Sequence, residues 1–289
     1  MNSKIKQSDK KAAFTIVELL TVMSIIVILI GLLVPALNQV KKYAKEVKQK
    51  AQFHAIGVAL EFFNGQFETY PDSSPTDSDS DDKDYCGAMK LAEAMVGRDL
   101  LGYHPDSVLN SSGKDYQGNF LYNPTSDLSA RKTYLDLENA NAYRMDDIYP
   151  QLGNFTADSV LLCDEFGQVV NRNSGLRMGM PILYYKARPA KTLHIVSNPD
   201  NSIYDYRDNQ ELLLLGKPWD PQSTVHHRLA KEGNLAEGAR FYENTLNDKV
   251  TTTRRPFNKD TFILISAGND GEYGTSDDIC NFNFKYREL

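Results

Sequence analysis

The sequence predicts an α+β protein: one long N-terminal helix, with a membrane half and an amphipathic half, packed on a small antiparallel β-sheet. Three observations predict it. An apolar run, residues 14–37, follows a short basic start. Apolar residues at helical spacing continue beyond that run to Phe62. Short β-rich stretches bounded by turn residues lie downstream, at 160–163, 181–186 and 261–266.

The 289 residues are enough to bury a sizeable core. With 41% hydrophobic and 24% charged residues, the chain is neither disordered nor a polytopic membrane protein. A net charge of −6 argues against a nucleic-acid binder, which would carry a basic excess.

The run FTIVELLTVMSIIVILIGLLVPAL, from Phe14 to Leu37, holds one ionisable group. As a helix rising about 1.5 Å per residue it is long enough to cross a bilayer core. A secretory signal peptide would be shorter and would end in a cleavage zone of small residues. Here a basic helical sequence, Asn38 to Lys50, follows instead. Thr15, Glu18, Thr21 and Ser24 recur at three-residue spacing and share one side of the first turns. Glu18 is the anomaly, because an unpaired carboxylate within a span costs a few kcal/mol. The alternative is a side chain that snorkels to the headgroups. Lysines flank the span on both sides, so charge leaves its orientation open.

Beyond Pro35, the residues Val40, Ala44, Val47, Ala51, Ala55, Val58 and Phe62 are spaced 4, 3, 4, 4, 3 and 4 apart. That stripe predicts the face that packs on the domain, its alanines permitting close approach. Helix stop signals fall between Asn64 and Pro71.

The N-terminal residues resemble those of type IV pilin-like (class III) prepilins. That family has a basic leader, a small residue, then a Phe-Thr-(Ile/Leu)-(Val/Ile)-Glu-Leu-Leu run. Here Lys10-Lys11-Ala12-Ala13 precede Phe14-Thr15-Ile16-Val17-Glu18-Leu19-Leu20. The resemblance implies a leader at 1–13, cleavage between Ala13 and Phe14 by a prepilin peptidase, and N-methylation of Phe14. Alanine stands where glycine is usual before the cut. Glu18 falls where pilins keep a glutamate that pairs with the N-terminal amine of the next subunit. Pro35 falls where many have a proline, around which the helix of assembled pili is often partly unwound. Residues 14–37 are then the transmembrane and assembly half of the helix, and 38–70 its amphipathic half. Residues 71–289 form the extracytoplasmic globular domain. The implied fold is pilin-like.

Within the body, Asp72 to Asp84 is acidic and rich in turn residues. Asp77, Asp79 and Asp81 alternate as in an EF-hand, but that pattern fails at Asp82 and Ala88, which favours a solvated loop. Ala88–Val96 and Ala140–Tyr149 read as short helices. Val160-Leu161-Leu162-Cys163-Asp164-Glu165-Phe166-Gly167 reads as a strand entering a turn, and Pro181 to Lys186 as another strand. Together they are similar to a compact segment of G-type pseudopilins, the major subunits of type II secretion, with Gln168 to Met180 inserted. His226-His227 has no partners at metal-ligand spacing, so surface or packed histidines are favoured over ligands. Cys86, Cys163 and Cys280 allow at most one intrachain bridge.

Residues 266–279 join three glycines to Asp270, Asp277 and Asp278 after a β-rich run. Glycines permit a backbone that wraps an ion, and aspartates with carbonyls supply hard oxygens for Ca²⁺. Magnesium fits less well. An Asp-Gly hairpin turn is the simpler alternative. The stretch resembles the calcium loop of G-type pseudopilins. That resemblance implies Asp270 and Asp277 as side-chain ligands, Asp278 as a third, and carbonyls from Ala267 and Thr275.

The resemblance implies a structural subunit, not an enzyme. It would be a single-pass protein of the bacterial inner membrane, with its globular domain in the periplasm. It would assemble with copies of itself and other pseudopilins, driven by an ATPase and a platform protein, to support protein export. The chain is long for a G-type subunit, with additions at 72–158 and 187–258. A minor or tip pilin acting as an adhesive or ligand-binding module, and a membrane-tethered enzyme, stay open as alternatives. No nucleophile elbow, phosphate loop or zinc motif points to the enzyme.

Overall fold

The computed structural model describes residues 15–75, 83–123, 128–221 and 226–289. It divides into two compact units, the first ending at Ala44 and the second running from Lys45 to Leu289. The Asp77–Asp82 stretch weighed as an EF-hand lies outside the described residues.

One helix, α1 (Ile16–Phe67), is continuous through Pro35. Its described residues in the first unit are all exposed, and the helix is long and apolar enough to cross a membrane. Nothing unwinds at Pro35 within this single chain. The helix stops at Phe67, and Glu68 takes a left-handed conformation with φ 56°.

In the second unit α1 buries Gln49, Gln52, Phe53, Ile56, Ala59, Leu60 and Phe63. This corrects the face read from apolar spacing. Val40, Val58 and Phe62 are 64%, 43% and 65% exposed, and Val47, Ala44 and Ala51 are also outside. Only Ala55 of that stripe is half-buried. Two glutamines decide the difference. The Gln52 amide donates to the Cys163 carbonyl at 2.9 Å, and the Gln49 amide oxygen accepts the Glu165 N–H at 2.9 Å. Lys45 and Lys48 continue this polar ladder, donating to the Phe166 carbonyl and the Glu165 carboxylate, each at 2.6 Å. Around the ladder, Phe53, Ile56, Leu60 and Phe63 each gain about 1.5–3 kcal/mol from burial.

The fold of the body is α+β. Helix α2 (Gly87–Val96) is buried on every side. Its two charged residues are matched: Lys90 donates to the Ser74 carbonyl at 2.6 Å, and Glu93 accepts from the Tyr85 and Ser107 hydroxyls. The expected helix at 140–149 is instead broken into α3 (Leu137–Ala140), strand β1 (Ala142–Arg144) and α4 (Met145–Ile148). Asn141, left-handed at φ 46°, makes the break, and its amide donates to the Asp164 carbonyl at 2.6 Å.

Strand β2 (Val160–Leu162) pairs antiparallel with β1, Tyr143 opposite Leu161. The residues read as inserted form a hairpin, β3 (Val169–Val170) with β4 (Arg177–Met178). The main sheet is β5 (Leu183–Lys186), β6 (Phe262–Ser266) and β7 (Ile279–Cys280), antiparallel in that order.

That sheet is apolar on both faces. Tyr184, Leu264 and Ile279 face a core completed by α1 and by Leu91 and Met95 of α2. Tyr185, Ile263, Ile265 and Cys280 face a second core, completed by Tyr204, α5 (Gln210–Leu214) and α6 (Ala239–Thr245). The 187–258 addition therefore forms much of the layer over the sheet's second face, together with Tyr85, Met89, Met145 and Tyr149.

Candidate functional site

Of the N-terminal candidates, Ala13 and Phe14 lie outside the described residues. Thr15 and Glu18 close a reciprocal capping box at the start of α1. The Glu18 carboxylate accepts the Thr15 N–H at 2.9 Å and its hydroxyl at 2.8 Å, while Thr15 Oγ1 accepts the Glu18 N–H at 3.2 Å. Both interactions from Thr15 fall on Oε2. Glu18 is thus the N-terminal lock of its own helix. Pro35 sits in the middle of α1, in unbroken helix.

The downstream loop is built where β6 ends and β7 begins. Gly268 has φ 67°, and a Cβ there would lie 2.2 Å from the Asp277 carbonyl oxygen, so only glycine lets the two arms approach. Asp277 gathers the loop. Its Oδ2 accepts the N–H groups of Asn269, at 2.8 Å, and Asp270, at 3.1 Å, and its Oδ1 accepts the Thr275 hydroxyl at 2.7 Å. Asp278 turns inward, its Oδ2 accepting the Gly274 N–H at 2.8 Å, while its Oδ1 is buried without a partner.

The loop therefore brings together Asp270, Asp277 and the Thr275 hydroxyl, with Asp278 buried behind and Ala267 at the end of β6. Burial pushes the Asp270 carboxyl above its usual range, and the negative charge of Asp277 adds to this. Burial also opposes ionisation of Asp277, but hydrogen bonds from Thr275, Asp270 and two backbone N–H groups outweigh it and hold that carboxyl low. The Asp270 N–H is bound by Asp277, and the Asp270 Oδ1 accepts the Glu272 N–H at 2.8 Å, so the two carboxylates are tied to one stretch of backbone. Burial raises Asp278 well above a normal carboxyl.

Among the described residues, no three or more His, Cys, Asp or Glu side chains form a ready-made metal cluster. The donor chemistry of the loop nevertheless suits a hard cation. It offers the neighbouring carboxylates of Asp270 and Asp277, an orphaned buried carboxylate oxygen on Asp278 and a glycine-shaped backbone. A cleft of about 260 Å³ opens beside Asp277 and Asp278, lined also by Glu46, Lys50 and Phe284.

Two features were not visible in the sequence. Asp164, at the end of the matched strand, is fully buried under the loop and accepts the Ser266 hydroxyl at 2.8 Å, and Ser266 in turn accepts the Gly268 N–H. Burial raises its carboxyl to about 7. The one available signal was an acid directly following the apolar run Val160–Cys163. The second feature is His227. It is buried against the Tyr273 ring, with Nδ1 accepting the Tyr273 N–H at 3.3 Å and Nε2 donating to the Gly216 carbonyl at 3.2 Å. Of the surface and packed alternatives left by the sequence, the structure has the packed one for His227. Its packing, however, holds the loop.

The three cysteines are free and buried. Compared with protein-family models, with curated proteins and with solved structures, the chain finds no match in any of the three.

Proposed function

We propose that this chain is a structural, pilin-like subunit, a pseudopilin of a type II secretion or related filament system, and not an enzyme. The observation that carries the reading is the 52-residue helix α1. Its described first part is wholly exposed and apolar, whereas its later part is bound into a folded body by matched polar and apolar groups. A monomeric soluble protein has no reason to expose such a helix; a membrane and then a filament core each supply a cover for it.

In this reading prepilin peptidase cuts after Ala13. The amine of Phe14 then meets Glu18 of a neighbouring subunit, which offsets the cost of that buried carboxylate. The body stands in the periplasm, and a platform protein with its ATPase drives assembly. Calcium held by Asp270, Asp277 and Asp278, with carbonyls from Ala267 and Thr275, would neutralise the carboxylates and stiffen the outer domain.

The test is the N-terminal mass of the mature protein from cells with and without the peptidase. A chain beginning at methylated Phe14, only when the peptidase is present, supports the pathway. A chain starting at Met1 in both rejects it.

A further inference from the structure

Two stretches of the 187–258 addition close over the 266–279 loop, Leu214 to Trp219 and His227 to Leu229. Lys217 Nζ lies 2.8 Å from the Glu272 carboxylate, and Arg228 Nε lies 3.4 Å from its other oxygen. His227 takes the Tyr273 N–H, and the Leu229 N–H donates to the Tyr273 carbonyl at 3.1 Å. Trp219 lies over Gly271, where a Cβ would sit 2.4 Å from the indole edge. Residues 271–273 are thus held from outside at three consecutive positions. They are the same residues that set the separation between Asp270 and the Thr275–Asp278 arm.

We propose that these two stretches are an ion-coupled strap, whose docking and cation occupancy of the loop stabilise each other. The proposal rests on the cation reading of the loop. If the strap fixes the backbone that positions the donors, undocking it loosens the site. By reciprocity, an ion that fixes the donors tightens the strap by the same factor. A polar loop then becomes a joint between the sheet and the layer that covers its second face.

Trp219 is the single tryptophan, so its emission reports this contact alone. In the purified full chain in detergent, calcium binding is measured by calorimetry and Trp219 exposure by acrylamide quenching. Calcium should protect Trp219 from the quencher. Lys217→Met separates coupling from simple charge. Removing a cation near the site should tighten calcium binding on Coulombic grounds, whereas loss of the strap should weaken it by about five-fold or more. If calcium binds but Trp219 does not respond, or if Lys217→Met binds as tightly as or tighter than the native chain, the strap proposal is overturned and the cation reading stands. If calorimetry finds no calcium binding, both are overturned.

Discussion

Gln52, almost wholly buried on α1, donates its amide to the carbonyl of Cys163, 111 residues away, where β2 enters its turn. Asn141 shares that carbonyl at 3.1 Å. Gln52→Met keeps the volume but removes the polar half of the contact. It should lower stability by about 1–2 kcal/mol, as one partner remains. A urea midpoint equal to that of the native chain would show that this bond does not help seat the helix.

The two faces of α1 give opposite expectations. Ile56 is completely buried and Val58 is 43% exposed. Ile56→Ala should cost about 2–5 kcal/mol through the cavity it leaves. Val58→Ala should stay within about 0.5 kcal/mol. Equal losses in denaturant melts would return the packing face to the apolar stripe.

Burial lowers His194 and His227 from 6.5 to about 3. The unfolded chain therefore binds more protons than the folded one in that window. The stability these groups contribute is complete above pH 6.5 and declines as pH falls toward 3. Asp164 and Asp208, raised by burial from 3.8 to about 7, act in the opposite sense. Their contribution is complete below 3.8 and is lost as pH rises through 7, so the four groups offset one another between 3.8 and 6.5. A single variant exposes the hidden slope. The stability difference between the native chain and His227→Asn should shrink by about 1.4 kcal/mol per pH unit below 6.5. A difference that stays constant from pH 6.5 to 4.5 would exclude a neutral, buried His227.

In calcium-free buffer Asp270→Asn should leave stability unchanged or raise it. Burial and the nearby charge of Asp277 both oppose ionisation of Asp270, and an amide carries no charge to oppose. The same substitution, and Asp277→Ala, should abolish any calcium-dependent rise in melting temperature. A rise that survives both changes would remove the loop as its source.

Glu18→Gln keeps an acceptor for the Thr15 N–H and so preserves the capping box. Membrane insertion should persist, while cross-linked oligomers in cells should be lost, because the charge that meets a neighbouring amine is gone. Normal oligomers from this variant would reduce Glu18 to a cap.

Much of the fold was legible because its signals are local. The apolar run, the stop after Phe67 and the helix at 87–96 follow from spacing and composition within one element. The strands at 160–162, 183–186 and 262–266 follow likewise. What was not legible depends on distant partners. Gln49 and Gln52 lie off the apolar stripe, and their role depends on the backbone groups of residues 163–165 placed against them. The break at Asn141 had a signal, since asparagine tolerates the left-handed region, but the helical pattern on either side masked it. At the loop, the aspartates stand in the sequence, whereas Lys217, Trp219 and His227 gain meaning only once the chain returns over them.

The sheet with two cores has a consequence for strand register. In a sheet with one wet face, a slip by one residue is forbidden because it turns the apolar set toward water. Here Leu183, Tyr184 and Tyr185, or Ile263, Leu264 and Ile265, would exchange one oily surface for another, so alternation gives little protection. Polar clips must hold the alignment. Asn209 grips the Tyr184 carbonyl and the Ala88 N–H, each at 2.8 Å, the Ser73 hydroxyl takes the Lys186 N–H at 2.9 Å, and Asn281 takes the Leu264 N–H at 2.9 Å. Three small side chains outside the strands index the sheet, a task that hydrophobicity performs elsewhere.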